Sequence, residues 1–102
     1  MTQATMYIGL NDKDEKRQTM ETVEAYKIVQ SELVRHVGGG TIYAAEGIYT
    51  HDDGTIVVEK TLRVEIFGAP ESALMALVEH LKIRLSQESI IIRRETVETV
   101  FA

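Results

Sequence analysis

Apolar residues recur at two different spacings along the chain, and the spacing predicts which segments are helices and which are strands. Between Thr19 and Val37 they fall about every 3.6 residues, which predicts an amphipathic helix. After Pro70, leucines and a valine form an i, i+3, i+4, i+7, i+11 stripe that predicts a second helix. Short or alternating apolar runs predict strands at Thr5–Leu10, Thr41–Thr50, Thr55–Phe67 and Ser89–Arg93, with Thr96–Phe101 continuing the last strand or adding an edge strand.

The predicted helix ends carry residue types that suit them. Thr19 can accept a backbone N–H as the N-cap of the first helix, and Gly38 can adopt the left-handed conformation that ends it. Pro70 suits the start of the second helix because its ring fixes φ. The resulting order, βαββαβ, predicts a ferredoxin-like α+β sandwich with two helices on one face of a four-stranded antiparallel sheet. We expect a single domain over residues 1–102.

The two longest predicted strands are separated by His51-Asp52-Asp53-Gly54, and Asp-Gly between such runs is a strong hairpin signal. A turn centred on Asp53-Gly54 pairs odd positions of the first strand with even positions of the second. That register predicts that Tyr43 and Tyr49 face the core and that Glu46 and Ile48 point outward. Strands this long would reach ~33 Å, so we expect the hairpin to project past the helices or to bend.

The sheet face without helices is expected to be partly apolar and rimmed by charge, which is typical of an interface. We therefore predict a homo-oligomer, most simply a two-fold dimer, with a trimer as the alternative. Scattered surface hydrophobic residues are the other interpretation of the same pattern. The predicted interface residues are Tyr7, Ile48, Val57, Phe67 and Ile91.

Composition excludes several classes of function. The chain has 16 acidic and 11 basic residues, a net charge of −5, which opposes binding to nucleic-acid phosphates. The absence of cysteine excludes disulfides, thiolate zinc sites and cysteine nucleophiles. Met1 to Leu10 has neither a basic leader nor an apolar run of signal-peptide length, so we expect a cytoplasmic protein with no membrane partner.

No catalytic motif is present, because the sequence contains no GxSxG, no P-loop and no GxGxxG. We therefore predict no catalytic residues and no cofactor. His36, His51 and His80 lack HExxH spacing, so we also predict no metal site. His36 is interpreted as a cation at the end of the first helix, and His80 as a surface residue.

The hairpin carries the polar residues that suit a ligand best. Lys60 interrupts an otherwise apolar face, and Glu46 lies in mid-hairpin, where a sheet interior can shift a pKa toward acid–base use. Snorkelling of Lys60 at the end of the core is the alternative. At the hairpin tip, His51 with two aspartates offers nitrogen and oxygen ligands, although tight turns favour the same residue types. The candidate ligand-binding residues are Tyr43, Glu46, Tyr49, His51 and Lys60.

Several short motifs occur in the order and spacing of a known family: Tyr7-Ile8-Gly9-Leu10, Gly39-Gly40-Thr41, Glu46-Gly47-Ile48-Tyr49, Asp53-Gly54-Thr55-Ile56-Val57 with Glu59, and Gln87-Glu88-Ser89-Ile90. Over most of its length the chain resembles a group of uncharacterised, ferredoxin-like bacterial proteins, some of them lipid-anchored, known only as a domain of unknown function. It is more loosely similar to the PII-like signalling proteins, which share the βαββαβ order. The first resemblance implies no activity, and the second implies ligand sensing.

Two hypotheses follow from the sequence. The leading one is a small, non-enzymatic binding or interaction module that forms a homo-oligomer through its sheet face and hairpin. The rival is a small enzyme, or a PII-like ligand-sensing regulator, with a site between the helices and the sheet.

Overall fold

The computed structural model describes all 102 residues and has the βαββαβ order. The four strands form one antiparallel sheet in the order β2-β3-β1-β4, which confirms the ferredoxin-like α+β fold. The elements are β1 (Thr2–Gly9), α1 (Thr22–Val37), β2 (Thr41–Thr50), β3 (Ile56–Phe67), α2 (Glu71–Arg84) and β4 (Ile91–Thr96).

Both helices pack on one face of the sheet, which we call the helix face. Strand side chains alternate between faces, so the even-numbered residues of β1 and β3 meet the buried stripes of the helices there. Side chains fill the space between helices and sheet, where the rival hypothesis had placed a ligand. The core comprises Ala4, Met6, Ile8, Leu10, Ala25, Val29, Leu33, Leu62, Val64, Ile66, Leu74, Leu77, Val78, Leu81 and Leu85.

The hairpin register differs by one residue from the predicted one. His51 N–H donates to Thr55 O at 2.8 Å, and Gly54, with φ 87°, takes the left-handed conformation inside the turn. The loop is therefore three residues long rather than two, a common hairpin in which a type I turn is followed by a left-handed residue. Even positions of β2 consequently pair with even positions of β3.

This shift corrects the face of every β2 side chain, because a one-residue slip exchanges the two faces of a strand. Tyr43 and Tyr49 lie opposite Arg63 and Val57 on the face without helices, which we call the open face. Glu46 and Ile48 lie on the helix face. The predictions for these four side chains were wrong for this single reason.

The hairpin projects past the helices, and the molecule measures 46 × 24 × 23 Å. On the helix face of the projecting part, three apolar side chains lie beyond the reach of α1 and α2 and are more than half exposed. They are Ile48, Ile56 and Val58, and we call them the arm patch.

Element boundaries differ slightly from the prediction. Helix α1 begins at Thr22, after Glu21, so Thr19 is not its N-cap. Gly38 ends α1 with φ 85°, as predicted. Strand β4 ends at Thr96, and residues 97–102 have no regular structure. Neither helix is both long enough and apolar enough to span a bilayer.

Candidate functional site

A cleft of about 480 Å³ opens on the open face, where the hairpin, the end of β1 and the start of β4 come together. Two loops form its rim: residues 11–18 after β1, and residues 87–89 before β4. Its walls combine aromatic, acidic and basic side chains. They include Tyr7, Asp12, Lys13, Lys16, Tyr49, His51, Val57, Glu59, Glu88 and Ile91, and we call this site the open-face cleft.

Glu59 of β3 is the best-positioned carboxylate in the open-face cleft. The backbone N–H of Asn11 donates to its Oε2 at 2.9 Å. Its carboxylate lies across Gly9 of the neighbouring strand, where a Cβ would be only 2.5 Å from Cδ and Oε1. Oε1 makes no hydrogen bond within the protein and so is free to accept one from a ligand.

The rim loops are tied to each other by hydrogen bonds. Gln87 Nε2 donates to Asn11 O at 2.7 Å, and Lys13 N–H donates to Ser86 O at 3.0 Å. The backbone N–H of Glu15, the Ser86 hydroxyl and the N–H of Asp14 together hold the pKa of Asp12 below its ordinary value. The rim is therefore a built structure that keeps Asn11 in position for Glu59.

Lys16 lies on the rim in the left-handed region, with φ 62°. A lysine there is strained by about 1–3 kcal/mol, and such strain is typical of functional sites. Its backbone N–H bonds to Asp12 O at 2.9 Å, which holds the turn. Lys13 and Lys16 thus give the acidic cleft a cationic edge that can take a ligand carboxylate or phosphate.

Aromatic side chains stand on opposite sides of Glu59. Tyr49 and His51 pack edge to face with ring centroids 5.3 Å apart. Tyr7 of β1 pairs directly with Ile91 of β4. The open-face cleft therefore offers flat apolar surface for a planar ring, with a carboxylate that can bind a cation between the aromatic groups.

Of the five predicted ligand-binding residues, only Tyr49 and His51 line the open-face cleft. Tyr43 lies farther along the open face beside Arg63, whose Cζ is 5.4 Å from its ring centroid. The neighbouring Glu65 carboxylate, through a hydrogen bond and its charge, raises the pKa of Tyr43.

Glu46 and Lys60 are direct cross-strand partners on the helix face. They border a separate shallow groove of about 470 Å³ beside Thr22, at the start of α1. The groove has no buried polar group aimed into it.

The predicted interface residues divide in a similar way. Tyr7, Val57 and Ile91 line the open-face cleft, and Phe67 lies near the far end of the same face. Ile48 belongs to the arm patch instead.

Sequence reasoning missed Glu59, Asn11 and the two rim lysines. The available signal was Gly9 inside a strand, because such a glycine often marks a close approach by another group.

Comparisons with known proteins establish the fold. A phage SAM lyase in complex with S-methyl-5'-thioadenosine is 20% identical, with a TM-score of 0.65 over 92% of this chain and 79% of that chain. CutA1 from Pyrococcus horikoshii is 17% identical, with a TM-score of 0.62 over 98% and 86%. A PII-like CutA protein from Nostoc is 14% identical, with a TM-score of 0.52 over 96% and 82%.

No protein-family model and no curated protein matches the chain. The resemblance to an uncharacterised bacterial family therefore has no support from a match. The looser resemblance to PII-like proteins is supported at the level of the fold.

Proposed function

We propose that this protein binds S-adenosylmethionine in the open-face cleft and cleaves it, releasing S-methyl-5'-thioadenosine. The observation that carries the proposal is Glu59, a carboxylate fixed by Asn11 N–H with Oε1 free, in a cleft walled by aromatic rings. The phage SAM lyase, which has the same fold, supplies the reaction class. This replaces the non-enzymatic module as the leading hypothesis.

The chemistry of the cleft matches this ligand group by group. S-adenosylmethionine has a flat adenine ring, a sulfonium cation, an α-ammonium group and a carboxylate. Tyr7 and Tyr49 offer surfaces for the ring and the sulfonium, since aromatic faces attract cations. Glu59 accepts a hydrogen bond from the ammonium group, and Lys13 or Lys16 pairs with the carboxylate.

The reaction needs no co-reactant. The ligand carboxylate attacks Cγ of its own side chain, a C–O bond forms, and the Cγ–S bond breaks. The electron pair stays on sulfur, which becomes a neutral thioether, and the remaining fragment closes as a lactone. Glu59 would hold the ammonium group so that the carboxylate faces Cγ, because orientation of reacting groups is a major source of catalysis.

Both reacting charges disappear in this step, so exclusion of water favours it. The open-face cleft is open to solvent on one side in a single chain. We therefore propose that the protein works as a homo-oligomer in which a second copy covers the open face. A two-fold dimer is the simplest closed assembly, and a trimer is the alternative.

Exposed apolar side chains on the open face support assembly. Phe67 and Ile91 are 49% and 68% exposed there. Their burial against a second copy would be favourable.

Activity is tested by incubating the purified protein with S-adenosylmethionine and following S-methyl-5'-thioadenosine by chromatography. We expect turnover by the wild type and a loss of about 100-fold or more in kcat/KM for Glu59→Gln, since misplaced reactants cost that much. Glu46→Gln on the opposite face is the matched control and should retain activity. No product from the wild type, or equal loss in both variants, would overturn the lyase proposal.

Assembly is tested separately by light scattering after size-exclusion chromatography. Phe67→Glu should dissociate the oligomer, whereas Ile83→Glu, on the exposed outer surface of α2, should not. A monomeric wild type would refute assembly.

Ligand sensing without turnover is the second candidate, and the likeness to a PII-like protein favours it. Calorimetry distinguishes the two: a sensor binds S-adenosylmethionine or the thioether and leaves the ligand intact.

A further inference from the structure

Three metal-binding side chains meet between the two helices, on the other side of the sheet from the open-face cleft. Glu32 and His36 lie one turn apart on α1, and His80 comes from α2. Glu32 is buried, with 2% of its side chain exposed, while His36 and His80 are half-buried. The potential ligand atoms of the three residues lie within 4.8 Å of one another.

We propose that Glu32, His36 and His80 bind a divalent transition-metal ion, with zinc as the favoured ion and water completing the coordination. The proposal concerns the helix face and does not depend on the function proposed for the open-face cleft. It revises the sequence-based prediction that the protein has no metal site.

The spacing of the donor atoms suits zinc. His36 Nε2 and Glu32 Oε2 are 3.0 Å apart in a hydrogen bond whose proton the metal ion would replace. Two ligands of a tetrahedral zinc ion, each about 2.0 Å from the metal, lie about 3.3 Å apart. The His36 and His80 rings are neighbours, with centroids 4.6 Å apart, so small side-chain rotations can direct both toward one ion.

Groups behind the ligands hold two of them in orientation. His80 Nδ1 bonds to Ala76 O at 2.9 Å, which fixes the ring and leaves Nε2 as its ligand atom. Glu32 Oε1 accepts a hydrogen bond from Arg84 Nη1 at 2.9 Å, which leaves Oε2 for the metal. Outer hydrogen bonds of this kind are typical of real metal sites.

The donor set also selects the metal. Two imidazoles and one carboxylate favour zinc, copper or nickel, whereas magnesium and calcium prefer oxygen alone. Arg84 and Arg35, the latter 3.9 Å from Glu32 Oε1, weaken the attraction for any cation. Both guanidinium groups approach the oxygen that the metal does not use.

The test is calorimetric titration of Zn²⁺ into the full chain after treatment with EDTA and removal of the chelator. We expect one ion per chain, a rise in Tm on binding, and no binding of Mg²⁺. His80→Ala should weaken Zn²⁺ binding by about 10- to 100-fold or more. Removal of a residue that only hydrogen-bonds to a metal ligand already costs that much, and His80 is a ligand itself. His51→Ala removes an exposed histidine from the hairpin turn, and this variant should bind Zn²⁺ with the affinity of the wild type.

Cobalt provides a readout that does not depend on stability. Co²⁺ in the wild type should give the visible absorption of a site with nitrogen ligands, and His36→Gln and His80→Ala should each lose it. The proposal is overturned if the wild type binds no Zn²⁺, or if His51→Ala loses binding while His80→Ala retains it.

Discussion

The Glu59 carboxylate occupies the space where a side chain on Gly9 would lie. Cβ of any larger residue at position 9 would be 2.5 Å from Cδ of Glu59. The two residues lie on adjacent strands. The hydrogen bond from Asn11 N–H to Glu59 Oε2 holds the carboxylate in this position. The position of the carboxylate therefore depends on the absence of a side chain beneath it.

Gly9→Ala should displace Glu59 and break its hydrogen bond with Asn11. A hydrogen bond to a charged group contributes about 1.5–3 kcal/mol, so we expect ligand binding to weaken by about 10- to 100-fold. Calorimetry with S-adenosylhomocysteine, which keeps the ammonium group that Glu59 binds and has no sulfonium to cleave, measures the effect. Gly47→Ala is a matched control on the same face, because its Cβ would meet the Thr61 hydroxyl at 3.1 Å and the backbone O of Glu59 at 3.8 Å but not the Glu59 carboxylate. Equal affinities for both variants would show that the position of Glu59 does not matter.

The conformation of Gly54 makes a prediction about the hairpin turn. Its φ of 87° is strained for a residue with a side chain. Gly54→Ala should lower the free energy of unfolding by about 1–3 kcal/mol, and Gly54→Asn should cost less because asparagine tolerates this conformation better. Urea denaturation of the two variants gives the comparison. Alanine and asparagine variants of equal stability would contradict a left-handed turn.

Leu77 and Ile83 lie on the same helix and differ almost completely in exposure, at 0% and 78%. Leu77→Ala leaves a cavity between helix and sheet and should cost about 2–5 kcal/mol. Ile83→Ala should change the free energy of unfolding by no more than about 0.5 kcal/mol. Chemical denaturation gives the free energy of unfolding of the two variants. A similar decrease in both would mean that α2 has a different orientation on the sheet.

Tyr43 should lose its phenolic proton only at a pH above 10.0, because the Glu65 carboxylate raises its pKa in the folded protein. The protonated phenol is the favoured form, so this contact contributes stability below pH 10.0 and loses it as the pH rises through the folded-state pKa. Tyrosinate absorbance measures the titration, with Tyr43→Phe identifying the contribution of this residue. Glu65→Gln should bring the pKa back toward its ordinary value, and an unchanged titration would exclude Glu65 as the cause.

The periodicity of apolar residues predicted the order of elements and the sheet, because helices and strands bury their faces at different spacings. It did not give the hairpin register. Asp53-Gly54 suits both two- and three-residue loops, and the bond from His51 N–H to Thr55 O that distinguishes them forms only in the folded chain. That one-residue difference moved Tyr43 and Tyr49 to the opposite face of the sheet.

The candidate sites were harder to predict because they join residues far apart in sequence. Glu59 becomes notable only beside Gly9, and His36 only beside His80. Tertiary packing creates these neighbours. The sequence offered only Gly9, a glycine inside a strand, as a local signal, and that glycine did not identify the group that approaches it.

Strand β2 ends the sheet at one side, and its ten residues leave one row of backbone N–H and C=O groups without a strand partner. Such an edge is a template for pairing with another chain. The exposed Ile48 adds an apolar side chain that favours such pairing. The strand carries no proline, and its only charged residue is Glu46. We therefore expect the solubility of the isolated chain to depend on two competing rates. One is the rate at which copies assemble in an ordered way, and the other is the rate at which their exposed edges pair into disordered aggregates.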